Sequence, residues 1–234
     1  MNEYKQRGDY HRNIDKTWSY YPIYKEKMKY VRRYIDERAL SVYKILDIGC
    51  GEGVLVEELR DLGFTNTKGI DLNYNSEHVE QGNALKMKYK DSSFDMVICL
   101  DLIEHLSFED QDKLLKELRR VLKKTGYLIM SIPNLAHLAS RIAFMFSGNL
   151  IRTSSANRHI GDRPINEYIE LIKENDFHIL QRKGIFPTFL ISSILTYCIP
   201  QHMLPLHKFL NNFLAYPNWC FSNIFVLEVK QKWM

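Results

Sequence analysis

The segment ILDIGCGEG, residues 45–53, constrains this chain more than any other. A short strand-forming run passes directly into glycines at 49, 51 and 53, and the helix-forming stretch VLVEELRDLGF follows without a break. Glycines at alternate positions permit a tight turn and bring backbone N–H groups close to a ligand at a helix N-terminus. A strand, a glycine turn and a helix in that order open a βαβ unit, so the chain is directed towards an open sheet with parallel strands.

The remaining sequence follows the same plan. VYKILDI (42–48), TNTKGIDL (65–72), FDMVICL (94–100) and GYLIMSIP (126–133) read as strands. VYKILDI, FDMVICL and GYLIMSIP are short, largely apolar runs, the pattern of a parallel sheet covered on both faces. Helical spacing of apolar residues marks 20–40, 54–64 and 108–124. Ser107 and Asp110 form a capping signature before the third of these. A helix over 135–147, a polar loop over 148–163 and a helix opening at Pro164 come next. FHILQRKGI (177–185) and NIFVLEVKQ (223–231) are two late strands. With no repeat, linker or low-complexity tract, residues 1–234 read as one domain. It divides into an N-terminal helical segment (1–41), a core (42–134) and a later region (135–234) carrying an apolar insertion at 186–222.

Two ligand classes compete for the glycine loop. The spacing GxGxxG, with an acid some 20 residues on, binds a dinucleotide pyrophosphate. Here the spacing is GxGxG, and Asp47 ends the strand just before the glycines. A carboxylate repels a pyrophosphate and attracts a cation. S-adenosylmethionine carries an ammonium and a sulfonium and no phosphate, so Asp47 favours it over a nicotinamide dinucleotide. Taken alone, Asp47 could equally cap a turn and Asp71 could be a surface turn residue.

Composition narrows the rest. Hydrophobic residues make up 45% and charged residues 26%, the balance of an ordinary globular protein. The formal charge of +4 is too small to argue for a nucleic-acid partner, and no basic stripe with interleaved aromatics is present. Cys50, Cys99, Cys198 and Cys220 lack metal-finger spacing, which suggests a reduced, cytoplasmic setting. The polar opening MNEYKQRGDYHRN has no apolar signal core.

ILDIGCGEG, GIDLN (69–73), KMKYKDSSFDMVICLDLIEHL (86–106) and LRRVLKKTGYLIMSIPN (118–134) together resemble the class I S-adenosylmethionine-dependent methyltransferases. The four blocks occur in that family's order over residues 42–134. The resemblance implies an α/β, Rossmann-like, doubly wound sheet of seven strands. It would be mostly parallel with an antiparallel last strand, and would carry helices on both faces. It also implies that Asp47, Gly49, Cys50 and Gly51 line the methionine moiety and that Asp71 takes the ribose hydroxyls. Leu72 would pack on adenine, with Asn83 or Ala84 at its edge and Leu100 closing the site. Asn83 stands where many relatives have an acid. The short stretch from Asp71 to Gly82 implies a turn in place of the usual helix.

At the catalytic end, DLIEHL (101–106) follows the third strand, and helical spacing would put Asp101, Glu104 and His105 on one face. His105 is the nearest candidate base for an acceptor hydroxyl, with Glu104 beside it. Some class I relatives carry an acid-x-x-Glu-His here. They include small-RNA 3′-end 2′-O-methyltransferases and ubiquinone-pathway O-methyltransferases. By that resemblance Asp101, Glu104, His105 and His159 would hold a magnesium-like divalent ion. The plain alternative is that Glu104 and His105 only begin a helix. His137 is a competing candidate, but its place in the AHLASRIAFMF helix favours a packed or exposed structural role, and Arg158 and Arg163 read as anion ligands or solvated loop charges.

Residues 184–207 contain no Asp, Glu, Lys or Arg, and Lys208 is the one charge in 186–222. The apolar run between Pro187 and Pro200 is shorter than the roughly 20 residues that span a bilayer. A lid over the acceptor, a homodimer surface and a peripheral membrane contact all remain open. The region after SIPN also resembles methyltransferases of cell-surface glycan and lipid-linked sugar clusters. The expected activity is methyl transfer from S-adenosylmethionine to a hydroxyl of a small-molecule, sugar or lipid-linked acceptor. A metal-assisted RNA enzyme and a non-catalytic cofactor-binding module are the alternatives.

Overall fold

In the computed structural model, which describes residues 14–151 and 159–230, seven strands form one sheet. In chain order they are β1 (Ile45–Ile48), β2 (Thr67–Asp71), β3 (Val79–Gln81), β4 (Phe94–Leu100), β5 (Leu122–Pro133), β6 (Phe177–Pro187) and β7 (Cys220–Val229). Their spatial order is β3-β2-β1-β4-β5-β7-β6. The pairings among β1 to β5 are parallel, and β7 runs antiparallel between β5 and β6. The late hairpin therefore inserts its second strand against β5, as the family resemblance implies.

Alternation along the strands divides the core into two layers. Leu46, Ile48, Val97, Cys99 and Leu128 point to one face, against α3 (Phe108–Val121) and α5 (Ile165–Glu174). Ile45, Met96, Ile98 and Ile129 point to the other, against α1 (Tyr21–Arg38) and α2 (Val54–Asp61). Helices thus cover both faces. α1 starts with Pro22 in its first turn and buries Ile23, Val31 and Ile35. α4 (Leu138–Ser147) follows β5, and the insertion folds as α6 (Leu190–Cys198), a 3₁₀ turn (Pro200–His202) and α7 (Leu204–Phe213).

Three local departures from the sequence reading have physical causes. α3 ends at Val121 rather than 124, because Leu122 is claimed by pairing with Phe94 across a bulge. The stretch after Asp71 is a turn as expected, but it leads into the short edge strand β3, whose three residues give almost no periodic signal. DLIEHL is not one helical face. Asp101 takes a left-handed backbone (φ 48°) and only Ile103–His105 coil, as a 3₁₀ turn. Asp101 N donates to Ser131 O at 3.1 Å, which prolongs the pairing of β4 with β5 by one residue before the chain breaks away.

Candidate active site

The glycine loop leaves β1 at the carboxyl end of the parallel strands. Gly49, Gly51 and Gly53 all have positive φ, at 69°, 57° and 84°. At Gly53 a Cβ would stand 2.5 Å from Val79 Cγ2, so the turn into α2 admits no side chain there. Gly51 N donates to Asp71 Oδ2 at 2.9 Å and Asn73 N to Asp71 Oδ1 at 2.8 Å. These bonds fix the Asp71 carboxylate at the rim of the loop. Cys50 has its Sγ against Gly69 of β2 rather than in the loop's mouth, and burial pushes its thiol up.

Asp47 is 4% exposed, and burial together with the Asp71 charge pushes its carboxyl up to about 8. A carboxylate held this far from its ordinary range is an incomplete site that a cation would complete. Leu72 beyond Asp71 is 62% exposed, a large apolar side chain at the rim. Gly82 N donates to Asp71 O at 2.8 Å, which carries Asn83 and Ala84 to the same edge. Asn83 spends its Oδ1 on Leu85 N (2.8 Å). Leu100 pairs with Ser131, one strand from the glycine loop, and Leu102 lies 3.2 Å from where a Gly49 Cβ would be. The residues assigned to the cofactor thus gather at one strand end. An ammonium for Asp47, a diol for Asp71 and a flat apolar ring for Leu72 are what S-adenosylmethionine offers, so the cradle fits that cofactor.

Next to this cradle the structure separates the four acceptor-side residues into two groups. Asp101 pairs with Lys27 of α1 and accepts from Ser131 Oγ at 2.6 Å. The Lys27 ammonium, followed by the Ser131 bond, holds its carboxyl below the ordinary range despite the opposing effect of burial. Glu104, His105 and His159 form the other group, with one donor atom from each within 4.8 Å of the others. The two imidazoles meet edge to face at 4.6 Å. Glu104 is 1% exposed, its Oε2 has no hydrogen-bond partner, and burial plus the Asp101 charge push it well above the ordinary range. Asp101, engaged with Lys27 and Ser131, is not part of this group.

Gln111 builds this second group and was not singled out by sequence. It is fully buried in α3, and its Nε2 donates to Ile103 O (3.1 Å) and Gly161 O (2.7 Å). Its Oε1 accepts from Arg163 Nε (2.8 Å), and Tyr168 Oη adds a bond to Gly161 O (2.8 Å). One amide thus clamps the loop that carries His159 onto the turn that carries Glu104 and His105. His159 is further oriented by Asp162 Oδ1 at 3.2 Å from its Nδ1. Arg163 stacks on Phe108 at 4.1 Å, a structural role rather than an anion site. Arg158 lies outside the described residues.

Lys27 was also missed, although a signal was present. It stands four residues from Ile23 and from Val31, inside the apolar stripe of α1, where a lysine needs a partner. Tyr24, one turn before, has its hydroxyl pushed up to about 12, first by burial, with Asp47 and Asp101 adding to it. α1 therefore roofs the site from the side opposite the histidines. His137 is structural as read: it caps α4 by accepting from Ser140 N (3.2 Å), and burial pushes it down to about 4. Asn134 at the end of β5 is consumed by Asn218 O and Cys220 O, both at 3.2 Å.

Comparison with known proteins agrees with the fold. A family profile for a methyltransferase domain matches residues 46–130. An uncharacterized protein of Methanocaldococcus jannaschii is 27% identical over 165 residues, covering 68% of this chain and 69% of its own. A ubiquinone biosynthesis O-methyltransferase of Pelagibacter ubique is 26% identical, over 64% of this chain and 67% of its own. Among solved structures, magnesium protoporphyrin IX methyltransferase of Synechocystis, with bound S-adenosylhomocysteine, superposes with a TM-score of 0.58. It is 15% identical and aligned over 89% of this chain and 84% of its own; that likeness establishes the fold.

Proposed function

Starting from a chain that is a class I S-adenosylmethionine-dependent methyltransferase, we propose that it methylates a hydroxyl group of a small-molecule, sugar or lipid-linked acceptor. The observation that carries this reading is the proton-accepting group Glu104, His105 and His159. It lies just past the β4 end whose Leu102 packs on the glycine loop. A hydroxyl must lose its proton as it attacks, whereas an amine needs no base to do so. S-adenosylmethionine, when bound, supplies a methyl group on a positively charged sulfur.

The chain's own residues do the rest. Asp47 binds the ammonium, Asp71 the ribose hydroxyls, and Leu72 with Ala84 flanks the adenine. Asp101, held by Lys27 and Ser131, fixes the end of β4 and sets a negative charge near the acceptor. His105 would take the acceptor's proton as its oxygen receives the methyl group. Gln111 keeps His159 and His105 together while this happens, which is a positioning role.

A second reading is favoured by one observation, the buried and unpartnered Glu104 Oε2. In it Glu104, His105 and His159 hold a divalent ion that polarises the hydroxyl in place of a free base. Two imidazoles and one carboxylate suit an ion that accepts imidazole, such as ferrous iron or manganese, better than magnesium, which prefers oxygen ligands alone. The test is methyl transfer from labelled S-adenosylmethionine to lipid and sugar extracts, with and without chelator. Label in a base-stable ether supports hydroxyl transfer, and label only in esters or amines overturns it. Activity lost in chelator and restored by manganese, but absent in Glu104→Gln, selects the metal reading. Undiminished activity in chelator selects His105 as base.

A further inference from the structure

Three helices at the carboxyl end of the sheet are built inside out. α6 buries Ser192 and Thr196 and exposes Ile191 (76%) and Tyr197 (77%). α4 buries Ala139 and Ser140 and exposes Met145 (72%) and Phe146 (83%). α7 buries His207 and Asn211 along with Leu210, and exposes Phe213 (72%). In water such a helix would turn its large apolar side chains inward, so an outward apolar face signals a second apolar phase. The buried polar groups are satisfied internally where they can be. Thr196 Oγ1 donates to Ser192 O (2.7 Å) and meets His207 Nε2 (2.8 Å).

Two of these helices share one origin. Leu138 N at the start of α4 and Thr188 N just before α6 both donate to Trp219 O at 3.2 Å, and the Tyr216 and Phe189 rings pack around Trp219. α4 and α6 therefore start from one point, beside the segment that follows α7 and at the same sheet end as the glycine loop and Glu104. Charge selects what covers them. No Asp or Glu occurs between Pro133 and Gly161 or between Phe177 and Leu227, while Arg141 and Lys208 are exposed there. In a two-fold dimer the patch would face its own copy, setting cations against cations with no carboxylate to pair. An anionic lipid surface supplies both the apolar phase and the counter-charge. Among the described residues no helix is long and apolar enough to cross a membrane.

We propose that the outward faces of α4, α6 and α7 dock this protein onto an anionic bilayer surface, which brings the acceptor end of the sheet to the lipid. This does not depend on which acceptor is methylated. The experiment is co-sedimentation of the full chain with vesicles of phosphatidylcholine alone and of equimolar phosphatidylcholine and phosphatidylglycerol. The protein should pellet with the mixed vesicles and do so less with the neutral ones. Phe146→Glu combined with Ile191→Glu should lower its partition about tenfold or more while S-adenosylhomocysteine binding stays intact. Both positions are exposed, so folding is preserved, and cofactor binding verifies it. Wild type staying in the supernatant overturns the proposal, as does a double variant that pellets like wild type. A dimer that the double variant dissociates, with no vesicle binding, also overturns it and assigns the face to a second copy.

Discussion

With Asp47 proposed as the partner of the cofactor ammonium, binding of the cofactor or its product should depend on pH with a calculable slope. In the free protein its carboxyl sits at about 8, because burial and Asp71 disfavour the charge. The sign follows from which state holds the proton. Between the unfolded value near 3.9 and about 8 the native protein holds a proton that the unfolded chain has released. Asp47 therefore contributes stability at low pH that is lost as pH rises through that window. A bound ammonium reverses the preference and draws the group back to its ionised form. Binding of S-adenosylhomocysteine then releases one proton per site below about pH 8. From about pH 6 to about pH 7.5 the affinity should rise roughly 25-fold, or about 2 kcal/mol. Calorimetry at the two pH values, each in two buffers of different ionisation enthalpy, reads both the affinity and the proton. Asp47→Asn should flatten the dependence. Equal affinity at both pH values, or a slope that survives in Asp47→Asn, refutes the assignment of Asp47 to the ammonium.

Other perturbations separate the remaining roles. Gly53→Ala forces a side chain into a left-handed turn and against Val79, and should lower the melting temperature by several degrees, at about 1–3 kcal/mol. Coupling between Lys27→Met and Asp101→Asn in a double-mutant cycle should be about 1 kcal/mol at neutral pH, modest because the Asp101 side chain is 40% exposed. Since the pair lowers the Asp101 pKa, that coupling should vanish as acid protonates the carboxyl, and urea titrations across pH would show it. Gln111→Leu removes the side-chain donor to Ile103 O and leaves Gly161 O with Tyr168 Oη alone. It should cost about 2–4 kcal/mol and speed amide exchange at Gly161 and Asp162, with unchanged S-adenosylhomocysteine affinity.

The sequence by itself determined the sheet, the glycine turn and the acidic strand end at Asp71, because these depend on contacts local in the chain. Alternation at Leu46, Asp47 and Ile48 and the glycines at 49, 51 and 53 record their own backbone requirements. Asp71 and Leu72 follow from where a strand ends. What the tertiary structure decided lies beyond DLIEHL. Spacing alone grouped Asp101 with Glu104 and His105, yet the left-handed turn at Asp101 divides them. The partner that claims Asp101 is Lys27, 74 residues away, and the clamp that brings His159 to His105 is Gln111, 50 residues from the Gly161 it holds. No local pattern encodes such pairings, since they exist only once separate helices have packed against the sheet. The apolar insertion shows the same division. Its lack of charge was legible in the sequence, but that its helices turn Ser192, Thr196 and Asn211 inward and their large apolar side chains outward depends on which face meets the protein. Burial is a property of the assembled fold, so only the fold could assign it.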